Sequence, residues 1–511
     1  MLQRLGSSLV NHNGVTLKSI LDDRFVEDST IYTVGFGGDY INLNTALAHL
    51  SKKMYVATEN NQGVTLMLLG NYSVNEQVIV AHSNLSFVTI KSEKTVAIVR
   101  ESLVKEVDGY LPAFCATGGA QLPVFDVKFD MGYTSGDQDK SVAFLATDAG
   151  SSLIIKEGGG CINSYGSGIL AKDAATFTAN GTVWDGCAGD GVSVYSGASG
   201  SASNSTANRC YNGFVANGGV LDATSSTAQY TRSAGFASRK GGVLNAEFAD
   251  AQNGASYGFY CAISSLLNVT RGNCSGCRSG ISGQRNGKIA AEAVVANNCT
   301  ETNISAIRYS TIEAQFCTAI NTTTTPLYCI RANCSGSVLV ESSKLGGTCT
   351  HNICRATDNA DIQATDAVLS GAIGSSIAVL VDESSNFQGR RITINHSTSK
   401  GTAVQVARAS TADLTNCKIT GGGNYGVVSQ FCSNVSVDEG AVNGSTNYSL
   451  YATDGGKISA TKANARQDVS QDKISDIVVS RGGIISADGA LGGYPHSVGI
   501  NQVTSSGIIF K

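Results

Sequence analysis

The chain has 511 residues, with 59 Gly and only 4 Pro, and is 42% hydrophobic, 15% charged and of formal net charge -4. Recurrent Val, Ile and Leu at low charge exclude a disordered chain, and no apolar run approaches the roughly 20 residues that span a bilayer. A pI near 5.9 argues against a nucleic-acid binder, which presents a basic face.

The first residues, MLQRLGSSLVNHNG, lack the apolar centre of a secretory signal. A soluble intracellular product is therefore expected, with its 15 cysteines as thiols. The pattern divides the chain into 1–30, 31–165, 166–470 and 471–511. In the second segment TALAHLSKKM (45–54) has helical apolar spacing and is expected to cap an open end. GVTLMLLGNYSVNEQVIV and LSFVTIKSE then read as strands broken by Gly and Asn turns. The whole of 31–165 is read as β-helix entry coils with a capping helix and irregular loops; residues 94–165 fit the period poorly and are expected to supply the protruding loops, with Tyr110, Pro112, Pro123, Asp137 and Asp139 among them.

From Gly168 a short segment returns at a nearly fixed spacing: GILAK, GVSVY at Gly191, GFVAN at Gly213, GFASR at Gly235, GFYCA at Gly258 and GISGQ at Gly280. Each repeat holds a second apolar–any–small segment, such as Leu221-Asp222-Ala223 and Ile312-Glu313-Ala314. A unit this short cannot bury a core alone and must stack on its neighbours. The expectation is an all-β fold, a right-handed single-stranded parallel β-helix. Some 13 recognisable coils at about 4.8 Å would extend about 60 Å.

Three stretches resemble the tailspike or receptor-binding proteins of tailed bacteriophages. GSSLVNHNGVTLKSILDD (6–23) is similar to their neck. YTVGFGGDYINLNTALAHLS with VTLMLLGNYSVNEQVIV resembles the start of pectin-lyase-like β-helices, and GGIISADGALGG with NQVTSSGIIFK resembles the ends of such proteins. The resemblance implies a homotrimer on the virion tail, joined to other tail proteins through residues 1–30. Its ligand would be a bacterial capsular polysaccharide or lipopolysaccharide O-antigen, often cleaved by an endoglycosidase or lyase. A non-catalytic receptor-binding protein of the same shape is the alternative. No long virion-attachment domain precedes the neck, which leaves attachment to another protein or to a longer form of the chain.

In a β-helix the chemistry must be sought down columns of stacked residues. One outward column holds Glu247, Thr270, Glu292, Gln315 and Glu341; another holds Asp222, Asn245, Asn268, Ala290 and Glu313. Asp222/Glu247 and Glu292/Glu313 are diagonal carboxylate pairs about 7 to 8 Å apart, a separation that suits inverting glycoside hydrolysis. Scattered Glu on a solvated strand face is the ordinary alternative. Arg285, Arg308, Arg331 and Arg355 are expected to stack on four successive coils, where an acidic polysaccharide or a neighbouring subunit would pair them. Tyr309 and Tyr328 are candidate sugar platforms, and Tyr309 or His351 would serve a lyase as base. Cys187, Cys210, Cys277 and Cys299 share a column of small interior residues. No P-loop, G-x-S-x-G or HExxH pattern occurs, and the CxxC of NCSGC (273–277) lacks a second ligand pair, so neither cofactor nor metal is expected.

Overall fold

The computed structural model describes residues 24–56, 63–136, 138–371, 377–396, 401–421, 423–466, 476–492, 503–504 and 507–510. The chain forms two compact units, Met1–Thr227 and Ala228–Lys511. Each is a parallel β-solenoid. The neck-like residues 6–23 lie outside the described residues.

In the first unit, six strands from Val78–Ala81 to Asn212–Asn217 make one parallel sheet, here the first sheet. Shorter strands, among them Ile31–Val34, Val64–Leu68 and Thr176–Thr178, make a second sheet. Val96–Ala97, Lys128–Asp130 and Gly160–Ile162 form a third. On the first sheet Val78, Phe114, Phe144, Ile169, Val192 and Phe214 are successive register partners, so each coil is shorter than the one before it. Residues 94–165 are thus wide coils of the same solenoid, with their extra length in loops. The surplus length escaped the sequence period because one connection, 98–110, folds back over the sheet. There Val107 and Tyr110 pack on Cys115, Val142, Leu145 and Leu170.

The helix spans Leu43–Leu50, two residues ahead of its expected start. The Asn42 side chain accepts a hydrogen bond from the Thr45 amide, as an N-cap should, and Leu43, Ala46, Leu47 and Leu50 are buried. It lies in the first coil of the second sheet, between Ile31–Val34 and Val64–Leu68.

The second unit has eleven first-sheet strands among the described residues, from Ala234–Arg239 to Ile477–Val479. Phe236, Phe259, Ile281, Ile304, Ile330 and Cys354 stack along its interior, each fully buried. Two successive residues in the left-handed region join the first sheet to the second in every coil of this unit. Examples are Arg285 and Asn286 (φ 49° and 64°) and Arg308 and Tyr309 (φ 56° and 64°). Such pairs make the sharp type I′-like bend that Gly and Asn favour. Here charged residues such as Lys240, Arg285, Asp358 and Arg408 often take the first position, and small residues such as Gly241, Asn286 and Asn359 mostly the second.

Candidate functional site

The outward column is in register. The amide after each member donates to the carbonyl of the next, linking Glu247 to Thr270, Glu292, Gln315, Glu341 and Thr365. Glu313 pairs with Ala290, two residues before Glu292, so Glu292 and Glu313 stand on the expected diagonal. Both are exposed, and neither carboxylate makes a hydrogen bond or ion pair among the described residues. Glu292 lies at the corner after the second-sheet strand and Glu313 at a strand end, on an open face with nothing to exclude water. Asp222 and Glu247 belong to different units. The Asp222 carboxylate is engaged within its own unit, accepting from Ser203 Oγ at 2.8 Å and Thr224 Oγ1 at 2.6 Å, which makes it a turn-stabilising group.

The four-coil arginine ladder is corrected. Arg285 and Arg308 stack in the exposed turn column, where the next members are Cys334 and Asp358. Arg331 and Arg355 pair with each other inside first-sheet strands, three residues earlier in the coil. The added residues of the coil between Ile304 and Ile330 lie before the strand, in 322–327, so the spacing from turn to corner never changes. Tyr309 and Tyr328 separate for the same reason: Tyr309 is 69% exposed in the turn, and Tyr328 is 8% exposed in a strand.

The first-sheet strands bring together a different set. Arg331 and Arg355 lie 5.6 and 5.4 Å from the centre of the Tyr328 ring, and Arg355 Nη1 donates to the Tyr328 hydroxyl at 2.6 Å. The His351 ring stands 5.5 Å from the same tyrosine. Neither arginine has a carboxylate partner among the described residues. Several other arginines of this unit are paired: Arg278 with Glu301 at 2.5 Å, Arg391 with Asp366 at 2.6 Å and Arg408 with Glu383 at 2.8 Å. A phenol, an imidazole and two guanidinium groups without carboxylates, all on one face, can bind a carboxylate and move a proton beside it.

Sequence reasoning missed the pair Asp358 and Glu383, which occupy the turn column on adjacent coils. Hydrogen bonding to Asp358, then its like charge, raises the Glu383 carboxyl above the ordinary range. The signal was present in RATDN and LVDES, each bearing an acid directly after a strand. Also missed was Asp108 of the first unit, brought by the 98–110 connection to within 2.6 Å of Lys172 Nζ and 2.9 Å of Thr147 Oγ1. Burial would raise the Asp108 carboxyl, but the Lys172 and Thr147 bonds outweigh it and hold it low. This pair anchors the connection.

Thirteen of the fifteen cysteines are buried, and all are held as thiols. Gly254 separates Thr231 from Cys277 in the interior column, with its amide donating to Cys277 Sγ at 3.3 Å. Cys274 of the CxxC also faces inward, where burial raises its thiol well above the ordinary value.

No protein-family model matches the chain, and no curated protein matches it. Among solved structures, the PL6 family alginate lyase AlyGC is similar at 8% identity and a TM-score of 0.21, over 95% of this chain and 100% of that one.

Proposed function

We propose that this chain is the receptor-binding spike of a tailed bacteriophage, a homotrimer on the virion tail that binds and depolymerises a bacterial capsular polysaccharide or O-antigen. The phage assignment, including attachment to other tail proteins through the N-terminus, is supported by the resemblance at both ends of the chain. The reading of the site is carried by one observation, the Tyr328–Arg331–Arg355–His351 cluster. Its arginines would neutralise the carboxylate of an acidic sugar and steady the enolate formed next to it. His351 takes the proton from the carbon beside that carboxylate. The electron pair left behind forms a carbon–carbon double bond as the neighbouring glycosidic carbon–oxygen bond breaks, and the Tyr328 hydroxyl protonates the departing oxygen. No cofactor is needed for this step.

Hydrolysis is the second reading, favoured by the Glu292/Glu313 diagonal. The test is incubation with a panel of purified capsular and O-antigen polysaccharides, following chain length and the ultraviolet absorbance of unsaturated uronate together. Tyr328→Phe and His351→Gln should each lower the rate by about 10² to 10⁴ with binding retained. Shortening without new absorbance, and lost in Glu292→Gln and Glu313→Gln, assigns hydrolysis. Binding without shortening assigns the non-catalytic role.

A further inference from the structure

Resting on that reading of the face, we infer that Tyr257, Tyr260 and Arg239 form a separate binding subsite for a second acidic residue of the same glycan chain. Tyr257 and Tyr328 stand in one outward column, and Tyr260 and Arg331 in the next, each pair three coils apart. Three coils correspond to about 14 Å along the sheet. Between them the columns carry only Ser279, Thr302, Ser282 and Ser305, all buried. The result is a recessed hydroxyl floor between two aromatic–guanidinium blocks.

The second block repeats the chemistry of the first with different residues. The Tyr257 and Tyr260 rings lie 4.8 Å apart, and the Arg239 guanidinium sits 5.2 Å above Tyr260. Arg239 Nε has no acceptor, and no carboxylate pairs with this arginine among the described residues. Tyr rings give a sugar apolar area, and a guanidinium fork takes a carboxylate in a bidentate grip. A glycan lying along the coils would meet both blocks, with its hydroxyls over the Ser/Thr floor. The Tyr257 block lacks a histidine, so its role is binding alone.

The test uses acidic bacterial glycans cut to graded lengths, with carboxyl-reduced copies, and the dissociation constants of the full chain for each. Arg239→Gln and Tyr260→Ala should weaken long oligomers about ten-fold or more and leave those too short to span the floor unaffected. Arg239→Lys, which keeps the charge without the planar fork, should weaken them less. Unchanged melting of each variant separates lost binding from lost folding. Long oligomers held equally by wild type and variants would overturn the subsite. Carboxyl-reduced chains held as tightly as the acidic originals would overturn the acidic ligand while leaving the polysaccharide reading standing. If wild type binds no glycan of the panel, the proposed function fails and the subsite with it.

Discussion

Phe259 and Tyr260 are adjacent, yet the fold assigns one to the core and the other to the outer face of the first sheet, the face proposed to bind glycan, so their alanine variants should separate stability from binding. Phe259 is fully buried, its ring 5.5 Å from Phe236. The backbone of Gly272 approaches so closely that a Cβ there would lie 2.9 Å from Phe259 Cζ. Ladder hydrogen bonds hold the surrounding coils, so the cavity left by Phe259→Ala cannot collapse, and the cost should be about 3 to 5 kcal/mol. Tyr260 is half-buried, and burial raises its phenol despite the opposing pull of Arg239. Its replacement loses the Tyr257 contact and the Arg239 cation–π contact, about 1 kcal/mol each. Hydrogen exchange of the strands Ala234–Arg239, Tyr257–Ala262 and Ser279–Gln284 reads the difference. Protection should fall about 100- to 4,000-fold in Phe259→Ala, since each 1.4 kcal/mol is a factor of about ten, and about thirty-fold at most in Tyr260→Ala. Fluorescence of Trp184, the chain's single Trp, which is fully buried in the first unit, monitors that unit separately. Equal losses in the two variants would refute the inward and outward assignment, and the proposed glycan face with it.

Four further outcomes are expected. Asp358→Asn should lower the Glu383 titration midpoint in carbon-detected NMR, because Asp358 raises it. A carboxyl raised by folding adds stability below its ordinary value and loses it as pH climbs through the raised one, so Asp358→Asn should flatten that loss; an unmoved midpoint counts against the contact. Thiol labelling of the folded protein should modify exposed Cys432 first and half-buried Cys334 more slowly; Cys115, Cys261 and Cys417, pushed up to about 12 by burial, should react only after unfolding, and fast labelling of these would place them outside the core. Gly346→Ala should fail to fold stably, since φ is +131° and a Cβ would overlap the Ser370 carbonyl oxygen; a melting point near wild type would contradict this backbone path. Sedimentation should give a trimer, with exposed Val243, Ile263 and Leu266 available for burial between subunits, and a 52.7 kDa monomer at micromolar concentration would end the trimer proposal.

The repeat was legible because stacking demands it. Interior positions such as Phe236, Phe259 and Ile281 must return once per coil, so a short fixed period and an apolar–any–small strand are written directly into the sequence. The same logic located the Glu292/Glu313 diagonal and the interior Cys277 column. It failed wherever a coil changed length. The wide coils from Val78 to Phe114 and from Phe114 to Phe144 hid the period within 94–165, and the connection that brings Asp108 to Lys172 had no periodic trace.

What the sequence by itself determined is the β-solenoid and the order of its coils, since both follow from local alternation and a fixed spacing. Which residues share a face was decided by the tertiary structure. Arg285 and Arg331 look equivalent when read along the chain, but the added residues at 322–327 precede the strand, which leaves Arg331 within the strand beside Tyr328 while Arg285 stays in a turn. Register is fixed by the hydrogen-bonded ladder between coils, and because side chains alternate, a shift of a few residues along the coil moves a group from strand face to exposed bend. The Tyr328 cluster and its Tyr257–Tyr260–Arg239 counterpart exist only in that register.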